Sequence, residues 1–353
     1  EFEYRSYNDS RLTNDFFYLI YNNNYDKDDT LYESDTYYDG VSRIGTIYTI
    51  MRFNLKTHEV KKVNNINSGY VQLYMSQNNI YLATQFNSYF TIVSIFDIDL
   101  NPVAALKVDG AILNQFSMDE YDNHFRIVTT NRNAEDEKLN AISIFNLKTN
   151  ELVGYLNEGI GIGRQIVKSV RFKDTTCYIV TYENRDPLYE IDLSDPKNPT
   201  IISKYQSPGY SSYLHTFTVD ETEYLFGIGY CDDMHTRKIS VYKNGEETVQ
   251  VGRDLLICDY DYTSDDNRIK VSIINHNALS DHKTLFIYQH EGILYLGVKV
   301  SLKQYTFFKI DVNAVEVITE YESITFEESY YFSRCYLINN KIYITTGSSL
   351  YIK

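Results

Sequence analysis

Four short runs in one stretch decide how the chain reads. They are Tyr70-Val71-Gln72-Leu73-Tyr74-Met75-Ser76, Ile80-Tyr81-Leu82-Ala83-Thr84-Gln85, Thr91-Ile92-Val93-Ser94-Ile95-Phe96-Asp97 and Val103-Ala104-Ala105-Leu106-Lys107-Val108. Each is rich in residues that suit a pleated, half-buried surface, and each is bounded by Asn, Asp, Gly or Ser. None has the length or the 3.6-residue spacing of a helix. The stretch predicts four strands joined by tight turns.

The same order recurs along the chain. A second cycle starts at Leu113-Asn114-Gln115-Phe116-Ser117 and runs through 125–130, 141–147 and 152–156. Further cycles start at Val167 and Ser212, another at about His282, and an earlier one occupies 10–63. Third strands end alike, as in Arg52-Phe53-Asn54, Ser94-Ile95-Phe96-Asp97, Ser143-Ile144-Phe145-Asn146 and Phe308-Lys309-Ile310-Asp311. A terminal Asp or Asn after an apolar strand caps a turn and tolerates the left-handed backbone. Four strands per unit, at a period somewhat above ~40–45 residues, is the pattern of propeller blades.

The expectation is therefore an all-β single domain over 1–353 with seven four-stranded blades. Six blades fall at 10–63, 69–108, 110–157, 164–205, 209–252 and 280–321. A hairpin-rich insertion covers 255–279, and eight blades result if it pairs as a partial blade. The segment 329–353 supplies three strands, and residues 1–9 supply a closing outer strand. Such pairing of the two chain ends would close the ring and leave no open sheet edge.

Composition narrows the partners. Of 353 residues, 33 are Lys or Arg and 48 are Asp or Glu, a net charge of −15. That balance opposes non-specific nucleic-acid binding and docking on anionic lipid. With 43% apolar and 23% charged residues the chain is globular in composition, and no apolar run reaches the ~18–20 residues that cross a bilayer. The N-terminal Glu1-Phe2-Glu3 has neither an initiator Met nor a signal-peptide core, so any targeting segment is expected to have been removed. Cys177, Cys231, Cys258 and Cys335 show no zinc-site spacing and read as small hydrophobes, with a Cys231–Cys258 disulfide as the alternative.

Several strings resemble the bacterial and archaeal secreted β-propeller family that is distantly related to WD40 repeats. They include Leu113–Tyr121, Ser169-Val170-Arg171-Phe172, Asp186–Pro196, Pro208-Gly209-Tyr210 with Tyr213-Leu214-His215, Asp281-His282-Lys283 and Tyr331-Phe332-Ser333-Arg334. The resemblance covers most of the chain from Ser10. It implies a propeller exported from the cell, secreted or at its surface, and it implies no reaction.

Innermost strands of a propeller line its channel. Here they offer Arg11, Asn114, Gln115, Ser117, Arg171, His215, Asp281, His282 and Arg334. A ring of guanidinium, amide and imidazole groups would suit an anionic or carbohydrate ligand. The structural reading is that these groups bond to one another and to backbone, holding blades in register. No nucleophile motif lies near either His, so no catalytic residue is assigned. Asp119-Glu120 is expected in the turn beyond a strand. Two acidic clusters, Asp26, Asp28 and Asp29 beside Glu33 and Asp35, and Asp259, Asp261, Asp265 and Asp266, could hold calcium or could be solvated turns. The Gly159-Ile160-Gly161-Ile162-Gly163 run precedes a strand, which excludes a phosphate loop.

These observations give a monomeric extracellular or cell-surface module that binds protein or glycan. A carbohydrate-active hydrolase or lyase with its site at the channel mouth is the alternative, and a structural spacer of a larger surface protein is the third reading. No cofactor other than calcium is expected.

Overall fold

The structure, a computed structural model, describes residues 6–23, 36–38, 46–67, 70–86, 89–132, 138–161, 163–182, 186–233, 236–245, 248–258, 269–272, 282–301, 303–327, 333–346 and 349–352. They form seven sheets in chain order and two short 3-10 turns, Gln115–Ser117 and His282–Thr284. The chain divides into two compact units: 1–167 with 174–176 and 192–200, and 168–173 with 177–191 and 201–353.

In the first unit, sheet one contains β1 (Ser6–Leu12), β2 (Phe16–Asn23), β3 (Thr36–Tyr38), β4 (Thr46–Asn54) and β5 (Val60–Asn67), in the order β1-β2-β4-β5-β3. Sheet two is the meander β6 (Val71–Met75), β7 (Asn79–Phe86), β8 (Phe90–Asp97) and β9 (Pro102–Asp109). Sheet three is β10 (Met118–Tyr121), β11 (His124–Arg132), β12 (Lys138–Asn146) and β13 (Glu151–Leu156). The third strand β8 is buried along its middle on both faces, whereas the outer strand β9 is largely exposed. A strand buried on both faces needs apolar cover above and below its sheet. Neighbouring sheets provide it: Ile20 and Ile50 pack with Leu73 and Leu82, while Ala83 and Ile95 pack with Phe125 and Ile127.

Sheet four contains β14 (Ile166–Lys173), β15 (Thr176–Tyr182), β16 (Asp186–Asp192) and β17 (Thr200–Ser207), most of them in the second unit. Sheet five has β18 (Tyr210–Val219), β19 (Thr222–Tyr230) and β20 (Arg237–Lys243), with the short β21 (Val249–Gln250) and with β22 (Leu255–Cys258) both antiparallel to β20. Strand β23 (Ile269–Ser272) runs parallel to β22. Sheet six is β24 (Phe286–His290), β25 (Ile293–Ser301), β26 (Gln304–Ile310) and β27 (Ile318–Thr325). Sheet seven is β28 (Ser333–Ile338), β29 (Lys341–Thr346) and β30 (Leu350–Ile352). Phe226 and Ile239 pack against Leu296 and Phe308, and Phe307 and Phe326 pack against Ile344.

Polar side chains tie consecutive sheets together at a repeated position, the third residue of each second strand. Tyr18 donates to the Ile98 carbonyl at 3.0 Å, Tyr81 to Glu120 at 2.6 Å and Tyr178 to Glu223 at 2.6 Å. In sheet three Arg126 takes that place and donates to the Asp174 carbonyl at 2.6 Å. Glu120 also accepts from Ser76 Oγ at 2.5 Å, Asn78 Nδ2 at 3.0 Å and Asn79 Nδ2 at 2.9 Å. Desolvation is the largest single effect and raises the carboxyl, but these bonds together outweigh it and hold it below the usual range.

Some expectations are corrected. Asp119 and Glu120 lie within β10, not in a turn, because Glu120 is needed against sheet two and Asp119 pairs with Arg126. Leu113–Ser117 is not a strand, since Asn114 caps a 3-10 turn by accepting from the Phe116 amide. Likewise His282 starts a 3-10 turn, and the strand follows at Phe286. The stretch 255–279 is no partial eighth blade. Its described strands extend sheet five, β22 antiparallel to β20 and β23 parallel to β22, and apolar Leu255 and Leu256 are buried there. The boundary expected between 1–9 and 10–63 falls inside β1, where Ser6 and Tyr7 pair with Asn22 and Tyr21 of β2. The rest of that closing strand lies outside the described residues, and sheet seven shows the three strands expected.

Glu120→Ala leaves four side-chain donors without their acceptor. A buried orphaned group costs about 1–3 kcal/mol, so we expect urea denaturation to show a loss of roughly 3 kcal/mol, against under ~0.5 kcal/mol for the exposed Glu59→Ala control. A loss below ~1 kcal/mol for Glu120→Ala would show that the clamp is idle.

Candidate functional site

Of the nine candidate residues, the second unit brings three together. Arg171 in β14 and His215 in β18 meet at 3.1 Å, Nη2 to Nδ1. Tyr213 stands two residues before His215, on the same face of β18 because strand side chains alternate. Its hydroxyl lies 3.3 Å from the same Nδ1. On its other side the Tyr213 ring is parallel within 9° to that of His282, at a centroid distance of 6.5 Å. Tyr213 is thus the hub of the group, and Phe226 at 5.3 Å backs His215.

Chemistry fixes the state of His215. A guanidinium can only donate, so Nδ1 accepts and the ring proton sits on Nε2. Burial lowers the imidazole pKa to about 4, and the Arg171 charge adds to that. His215 is therefore a neutral ring that presents an Nε2–H donor. Desolvation likewise raises the Tyr213 hydroxyl, with Arg171 acting in the opposite sense.

Beside Tyr213 and His282 opens a cleft of ≈ 420 Å³, lined further by residues 285–288 and 335–337. Tyr288 and Tyr336 border it with 38% and 48% of their surface exposed. The Cys335 thiol is pushed up to about 12 by desolvation, against the lowering effect of its hydrogen bond with Tyr305. It stays a neutral thiol.

The other candidates serve their surroundings. Arg11 donates to the carbonyls of Ser10 and Leu73 and pairs with Asp9 at 2.8 Å. Asn114 is a cap, Gln115 lies in the turn that it caps, and the Ser117 hydroxyl accepts from the Leu113 amide. Arg334 donates to the Ser333 carbonyl. Asp281 lies outside the described residues, as do Asp26, Asp28, Asp29, Asp259, Asp261 and Asp265 of the calcium clusters and the side chain of Cys258. Among the described residues no group of three metal-ligating side chains occurs.

Two further carboxyls, buried Glu190 and half-buried Glu223, lie elsewhere in this unit. Glu190 of β16 accepts from Thr248 at 2.8 Å and from Ser203 at 3.3 Å, while Glu223 accepts from Tyr178 and Asn244. Desolvation raises the Glu190 carboxyl. All these partners lie on sheets four and five, so the pair joins two sheets.

Sequence reading missed Tyr213, Tyr288, Cys335 and Tyr336. The alternation Tyr213, His215, Phe217 was a usable signal for the first. The others come from strands distant in the chain, and only packing assembles them.

The beta propeller domain model matches residues 25–353. The chain belongs to this family. The seven sheets are its blades, in an all-β fold. An uncharacterized protein of Methanocaldococcus jannaschii is 30% identical over 265 residues, which are 74% of this chain and 38% of that protein. Another of Archaeoglobus fulgidus is 31% identical over 206 residues, 58% of this propeller chain and 29% of its relative. The chain thus spans well under half the length of these relatives. Among solved structures, the computationally designed Ika8 protein aligns with a TM-score of 0.46 at 10% identity, covering 99% of this chain and 96% of its own. Pyrococcus horikoshii acylaminoacyl peptidase gives 0.45 at 10% identity, covering 99% and 51%.

The pH dependence has a definite sign. The folded His215 pKa of about 4 lies below the ordinary 6.5, so the unfolded chain takes up the proton first. His215 therefore withdraws stability as pH falls from about 6.5 to about 4. Melting curves of wild type and His215→Gln should diverge over this interval, with the shallower slope in the variant. Parallel curves would contradict the assignment.

Proposed function

We propose that this propeller is a binding module of a larger secreted or cell-surface protein, with protein or glycan as its ligand. The observation that carries the reading is the aromatic cleft beside the Arg171–His215–Tyr213–His282 group. Its volume of ≈ 420 Å³ falls within the ~300–1,000 Å³ of small-ligand sites. Its rings offer amphipathic contact area at low entropic cost. Arg171 and His215 stand behind this lining and hold Tyr213 in place through the His215 Nδ1. Cysteine supports no enzymatic role here, since a thiol held at about 12 is a poor nucleophile at neutral pH. The relatives' greater length favours a module within a larger polypeptide.

The purified domain should be screened on arrays of extracellular proteins and glycans. Retention of at least one ligand, weakened by Tyr213→Ala with the fold intact by circular dichroism, is the expected result. Uniform failure together with turnover of a sugar substrate would replace this reading with that of a carbohydrate-active enzyme.

A further inference from the structure

The lining of the cleft names its ligand more narrowly, an inference that rests on the binding-module reading. The chain has a net charge of −15 and 23% charged residues, yet among the described residues no Asp, Glu, Lys or Arg lines the cleft. Cys335 adds no charge, because its thiol stays protonated. Among the described lining residues only the His282 imidazole could offer a counter-charge, so burying a charged ligand here is costly.

Polar groups are present nonetheless. The Tyr288 and Tyr336 rings stand at the border, and their hydroxyls have no hydrogen-bond partner among the described residues. Inside, Tyr213 has its hydroxyl engaged with His215 and its ring beside those of His215 and His282, so it contributes apolar wall. Apolar ring faces with free hydroxyls beside them suit a molecule whose faces are C–H and whose rim is O–H. A sugar ring has that construction. A folded protein partner fits less well, since specific protein interfaces engage roughly 20–30 residues per side, whereas nine described residues line the cleft.

We propose that the cleft between β18, β24 and β28 is a subsite for an uncharged sugar ring, stacked on Tyr288 or Tyr336 and hydrogen-bonded by their hydroxyls. The test is an array of uncharged gluco-, manno- and galacto-oligosaccharides beside sulfated and uronate-containing ones and proline-rich peptides. The uncharged set should be retained. Tyr288→Ala and Tyr336→Ala should each weaken retention about tenfold, as expected for loss of ~1.4 kcal/mol of ring contact. Tyr321→Ala, exposed and outside the cleft, should leave it unchanged. Addition of a retained oligosaccharide to wild type should also shift the methyl resonances of Leu285 and Leu337, a readout that survives if a variant fails to fold. Retention of charged glycans alone, retention of peptides without sugars, or sugar binding that ignores both tyrosines and both methyl groups would overturn the proposal. If proteins are retained and sugars are not, the module reading survives and the sugar subsite does not. If nothing is retained here or on the extracellular-protein array, both fall.

Discussion

Burial on two faces is the constraint from which the rest follows. The middle strands β8, β15 and β20 are buried on both sides, which no isolated sheet can satisfy in water. Each sheet therefore needs a neighbour on either face, and the chain supplies one by repeating the same meander. The outer strands escape the requirement, so β9 and β13 keep the ordinary alternation of buried and exposed residues. Within each unit the core is a succession of shared layers, each formed by two consecutive sheets.

Apolar cover alone would let one sheet slide on the next. Directional bonds at the third residue of the second strand set the register. Of the five further sheets, four place Tyr where Tyr18 and Tyr81 stand, namely Tyr178, Tyr224, Tyr295 and Tyr343, and the fifth places Arg126 there. Where Tyr donates to a carboxylate, as from Tyr81 to Glu120, its own hydroxyl is held well above its usual range, chiefly by desolvation. The unusual number of tyrosines, 35 in the chain, thus has a partly architectural origin.

Much of this was legible. Strand order, turn residues and the repeat come from local chemistry: hairpin positions such as Asp122-Asn123 and Asn339-Asn340 adopt the positive φ that these residues tolerate. The 3-10 turns were not, because Leu113–Ser117 has strand composition and only the Asn114 cap diverts it. The insertion was misread for a related reason. Leu255 and Leu256 look like one arm of a hairpin, and whether they pair with their neighbour or with β20 is settled by packing on sheet five. At the site, Arg171, His215 and His282 could be singled out by residue type, while Tyr336 could not. An exposed tyrosine on one of thirty described strands carries no mark until a cleft forms around it.

Native-state hydrogen exchange tests two-faced burial most directly, since it reports how much structure must open to expose each amide. The account predicts the slowest exchange at successive residues of the middle strands, with Ile92 to Phe96 and Ile239 to Val241 protected without alternation, and rapid exchange in β9 and β13. Rapid exchange in those middle strands, or protection no greater than in β9, would contradict it.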